Sequence, residues 1–130
     1  MASRDFKQPR SCHVEGVDIG VSFTTDGGSA VATQNSGANW CTVTKPAGTG
    51  IYRLTFADTY QAVLACNASA MYASGTKDVK VDPVAYTNEA SSTPLVVDVQ
   101  VRKSSDGTAL DPAAATITVR LLLRNSTVNL

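Results

Sequence analysis

Near its C-terminal end the chain carries four large aliphatic side chains at two-residue spacing, Ile117, Val119, Leu121 and Leu123. Thr118, Arg120, Leu122 and Arg124 stand between and after them. A period of two sends alternate side chains to opposite faces of an extended strand, whereas a helical face repeats every 3.6 residues. This segment therefore demands a sheet with one buried face. Burying its four aliphatic groups contributes roughly 6–12 kcal/mol before conformational entropy is counted.

The same period recurs upstream. Val17, Ile19, Val21 and Phe23 alternate with Asp18, Gly20, Ser22 and Thr24; Tyr52, Leu54 and Phe56 share a face; Val97, Val99 and Val101 alternate with Asp98, Gln100 and Arg102. Turn chemistry separates these runs at Asp26-Gly27-Gly28, at 45–50 and at Ser104-Ser105-Asp106-Gly107, where glycine and aspartate accept the dihedrals a turn needs. Residues 30–33 read as a short return strand, 34–38 as a loop, 40–44 as a strand and 110–115 as a connection. Residues 79–86 form a strand whose Pro83 cannot donate to a ladder, which places it at a sheet edge or on a bulge. The stretch 57–74 reads two ways. Asp58 followed by Gln61 resembles a helix capping box, with one or two turns over 62–65, while 66–73 alternates weakly as a strand would. Seven or eight short strands so spaced indicate an all-β protein, a β-sandwich or jelly roll.

At 130 residues the chain fits one domain with a real core. Residues 1–11 are polar and carry Arg4, Lys7 and Arg10 against Asp5, with Phe6 their one large apolar group. They read as an extended N-terminal arm whose cations could grip an acidic partner, ahead of a single β domain over 12–130. Eleven basic and eleven acidic side chains cancel, and charged residues make up only 17% of the chain. Disorder needs more charge or fewer apolar groups, and nucleic-acid binding needs clustered cations, so neither is expected. So low a charge density also suggests a surface partly covered by something else. Leu122, opposite the apolar face of its strand, is the candidate for burial between subunits. No secretory signal and no membrane span is expected, since no apolar run approaches the ~18 residues a spanning helix requires.

Catalytic and metal chemistry find little to work with. Cys12, Cys41 and Cys66 are widely spaced and read as reduced thiols. His13, the only histidine, adjoins Cys12, but neighbours on a strand point apart. Metal binding needs three or four ligands at workable spacing, so no metal and no cofactor is expected. Asp78 and Asp82 share a strand face and make a conceivable acid pair, but like charges also guard an edge. Gly48-Thr49-Gly50 lacks the lysine and helix of a phosphate-binding loop. Trp40, Tyr52, Tyr60, Tyr72 and Tyr86 fit a core better than a sugar platform.

The segment Ala47-Gly48-Thr49-Gly50-Ile51-Tyr52-Arg53-Leu54-Thr55-Phe56-Ala57-Asp58, with the ending Leu121-Leu122-Leu123-Arg124-Asn125-Ser126-Thr127-Val128, resembles small virion proteins of tailed bacteriophages. The resemblance spans roughly residues 40–130. It implies a jelly-roll-like sandwich that assembles as a homotrimer on the outer head surface and contacts the major capsid protein, as decoration or cement proteins do. It carries no catalytic residue with it. Rival expectations are a fibre module that recognises a host glycan, a connector or tail-completion protein, and a hydrolase.

Overall fold

The computed structural model describes residues 16–28, 31–72 and 79–124. Eight strands follow in order: β1 (Gly16–Asp26), β2 (Val31–Ser36), β3 (Cys41–Thr44), β4 (Ile51–Phe56), β5 (Ala62–Tyr72), β6 (Lys80–Thr87), β7 (Val96–Arg102) and β8 (Ala113–Arg124). They form two antiparallel four-stranded sheets, β2-β1-β8-β5 and β3-β4-β7-β6. The fold is all-β. The expected arm at 1–11, with Arg4, Phe6, Lys7 and Arg10, lies outside the described residues, as does the Cys12–His13 pair.

The alternating runs build the core between the sheets. Ile19, Val21 and Phe23 from β1 and Ile117, Val119, Leu121 and Leu123 from β8 face Tyr52, Leu54, Phe56, Val97, Val99 and Val101 from β4 and β7, all buried. Phe23 and Tyr52 meet across the two sheets with ring centroids 5.3 Å apart. Phe56 and Tyr60 pack edge to face at 5.9 Å, the geometry the ring quadrupoles favour. Thr25 is buried but satisfied, because its hydroxyl accepts the Ala115 amide at 3.1 Å.

The two flanks of the sandwich differ. On one, β3 ends its sheet and presents open backbone groups. The Gln34 side chain of β2 occupies them: its amide nitrogen donates to the Cys41 carbonyl at 3.0 Å, and its oxygen accepts the Val43 amide at 3.2 Å. On the other flank β5 and β6 lie side by side, and each carries a bulge. Val63 and Ala65 face Leu123 and Leu122, leaving Leu64 as the extra residue. Pro83 and Ala85 face Val99 and Asp98, leaving Val84 as the extra one.

Three sequence expectations change. The helical turns expected over 62–65 are strand, and Asp58 uses its carboxylate on the next amide, Thr59, at 2.9 Å. The tertiary demand for a strand beside β8 overrides the local capping pattern. The loop expected at 34–38 is β2 up to Ser36, drawn into the ladder by its pairing with β1. The connection expected over 110–115 is already β8 from Ala113. Pro83 satisfies both of its readings, since β6 is an edge strand and is bulged there.

Candidate functional site

The outer face of the β2-β1-β8-β5 sheet is built from the side chains that alternate with the core. Cross-strand registers set them in rows. Asp18, Leu122 and Ala65 form the first row; Gly20, Arg120 and Asn67 the second; Ser22, Thr118 and Ser69 the third; Thr24, Thr116 and Met71 the fourth. Most of these groups are small, so the face has low relief. The Arg120 guanidinium donates to Asp18 at 3.2 Å, and the absence of a side chain at Gly20 leaves room beside it. Both partners are exposed, so the pair contributes little to stability. Asp18, Ala65, Asn67, Arg120, Leu121 and Leu122 line a shallow depression of about 280 Å³. Leu122 is half-buried in its wall. Of the five residues expected to bind a partner, Leu122 alone falls among the described ones.

The outer face of the other sheet has a different character. Arg53 grips both oxygens of Asp98 at 2.9 and 3.1 Å. Arg102 donates twice to the Gln100 side-chain oxygen, at 3.1 and 2.6 Å, and the Gln100 nitrogen donates to the Thr49 carbonyl at 3.2 Å. These groups satisfy one another and suit a solvated surface.

A third feature was not legible in the sequence. Between β3 and β4 the Lys45 side chain folds inward and is only 5% exposed. Its ammonium lies 3.2 Å from Asp111, donates to the Gly48 carbonyl at 2.7 Å, and sits 5.4 Å from the Tyr52 ring centroid. Asp111 also accepts the Gly50 amide at 2.6 Å. This clasp ties the 45–50 turn to the β7–β8 connection. Gly28, Lys45, Pro46, Ala47, Gly48, Thr49 and Asp111 line an open groove of about 390 Å³ beside it. The glycine-rich spelling of 45–50 is the only local hint, since nothing in it points to a carboxylate in a distant loop.

Among the described residues no three His, Cys, Asp or Glu side chains group as a metal site would require. Asp82 is exposed on β6, and Asp78 lies outside the described residues. Tyr52 and Tyr60 are core, while Trp40 and Tyr86 are exposed. Trp40 adjoins β3 and Tyr86 lies on β6, at opposite edges of one sheet. Burial pushes the Cys41 thiol up to about 11 from 9.0. Two pKa units mean about a hundredfold fewer thiolates at pH 8. In a Cys12→Ser/Cys66→Ser protein, Cys41 is thus expected to react with a thiol reagent only as fast as the chain opens. Labelling at the rate of a free thiol would contradict that burial.

No family model, no curated protein and no solved structure matches the chain.

Proposed function

We propose that the chain is a non-enzymatic structural protein of a tailed-phage head, a decoration or cement protein that binds the outer shell and stabilises it. The observation that carries this reading is the low-relief face of the β2-β1-β8-β5 sheet, with Leu122 set half-buried among small side chains. Such a face can pack closely against another protein surface without large side chains having to be ordered first. The phage resemblance supplies the partner, the major capsid protein, and the homotrimeric state. A cyclic trimer suits shell positions of local threefold symmetry. Many copies on a lattice give avidity, so each contact can be modest. The jelly-roll-like form of the sandwich and its N-terminal arm belong to the same proposal. Pairing of the first described strand with the last, β1 with β8, is a jelly-roll trait. The hairpins β1–β2, β3–β4 and β6–β7 keep more neighbours in one sheet than two pure Greek keys would. The wide separation of Trp40 and Tyr86 disfavours a glycan-binding reading.

The test is binding of purified protein to phage heads that lack it. Leu122→Lys is expected to weaken attachment about tenfold or more, as loss of a central apolar anchor does, with the circular dichroism spectrum unchanged. Deletion of residues 1–11 is expected to weaken attachment while the β domain still melts cooperatively. If both proteins saturate heads with wild-type affinity, the capsid reading falls.

A further inference from the structure

Monomers scatter exposed apolar side chains; this chain collects them. Of the large apolar residues exposed among the described ones, Leu64, Met71, Val84 and Tyr86 lie on β5 and β6, and only Trp40 lies elsewhere. Leu64 and Val84 are the two bulged residues, 51% and 46% exposed. Bulges on edge strands ordinarily twist an edge away from other chains, in company with charged side chains. Here both turn an aliphatic group to solvent. The Tyr86 side chain of β6 lies beside the Cys66 thiol of β5.

Charge frames this patch at both ends. β5 and β6 run in opposite directions, because the Val63 amide at the start of β5 donates to Glu89 just beyond β6, at 2.7 Å. The start of β6 carries Lys80 and the paired Arg102, with Asp82 beside them. The far end carries Glu89, with Arg124 paired to Ala62, and Asp58 two residues before Tyr60, whose carbonyl accepts the Ala90 amide. Among the described residues named here, one end is therefore net positive and the other net negative, with apolar groups between. A twofold axis through such a strip brings unlike ends together and apolar centres face to face, the self-complementarity an isologous contact requires.

We propose that the β5/β6 flank is a twofold contact between two copies of this chain. The contact is independent of the capsid reading and could join neighbouring trimers on a shell. It is tested on purified protein by sedimentation velocity over a range of concentrations. Wild-type protein is expected to form even-numbered assemblies. Leu64→Ser/Val84→Ser, at exposed positions, should raise the dissociation constant about tenfold or more, equivalent to about 1.4 kcal/mol, with unchanged circular dichroism. Lys80→Glu alone and Glu89→Lys alone should each weaken association, and the two together should restore most of it. Strictly monomeric wild-type protein, a trimer indifferent to these variants, or a double charge swap without rescue each overturns the proposal. A flank contact that persists while head binding fails overturns the capsid reading instead.

Discussion

Replacing Gly50 by alanine is expected to lower folding stability by about 4–5 kcal/mol, at the edge of what single substitutions do. Two causes add. Gly50 has φ +73°, a left-handed conformation that costs a residue bearing Cβ about 1–2 kcal/mol. The new Cβ would also lie 2.5 Å from the Val101 carbonyl oxygen and 2.8 Å from that of Leu110. Both obstacles are backbone, so the turn itself must move. Movement strains the Val101 amide bond to the Gly50 carbonyl at 2.8 Å and the Gly50 amide bond to Asp111 at 2.6 Å. Gly107 separates the causes, because it has φ +76° with nothing within 4 Å of a built Cβ. Gly107→Ala should therefore cost only the conformational share, about 1–2 kcal/mol. In urea titrations the two variants should differ severalfold in lost stability; equal losses would mean that the close approach at Gly50 has no energetic weight.

Asp111→Ala is expected to cost about 2–3 kcal/mol, because it leaves a Lys45 side chain only 5% exposed without its counter-charge, while the 27% exposure of the Asp111 side chain keeps the loss below that of a fully buried pair. The Lys45 ammonium would keep the Gly48 carbonyl and the Tyr52 ring but lose its counter-charge. The Gly50 amide would lose its acceptor as well. Asp111→Asn keeps an oxygen for that amide and should fall between alanine and wild type. Removing both charges tests the cause directly. Lys45→Met/Asp111→Asn should recover most of the lost stability, since an apolar side chain can fill the site without a buried charge. If the double variant is as unstable as the sum of the singles, the clasp is not a coupled unit.

How much of this molecule was readable from its residues depended on unbroken alternation. β1, β4, β7 and β8 keep a strict two-residue period, and each buries the face that the period names. β5 breaks phase. Val63 packs inward, the bulge at Leu64 slips the count, and Cys66, Ala68 and Ala70 then point inward. Ala62-Val63-Leu64-Ala65 therefore looks like a helical turn beside a plausible cap, and the small inward groups that follow give a faint signal. Pro83 announced an edge or a bulge on physical grounds, because it has no amide hydrogen to donate. Leu122 was placed correctly on the outer face by its parity with Leu121 and Leu123. The clasp was invisible for a different reason: Gly50 and Asp111 are 61 residues apart, and no local pattern records a contact made by the packing of two loops.

The glutamine that stitches β3 to β2 also limits what the molecule can become. With Gln34 occupying the Cys41 carbonyl and the Val43 amide, those two groups of β3 are not open to template an incoming strand. In copies joined through the β5/β6 flank as proposed, the stitched β3 margin keeps those two groups from recruiting a further chain by strand addition. Gln34→Ala would free both groups, and its symptoms would be turbidity in concentrated solution together with a lower melting temperature.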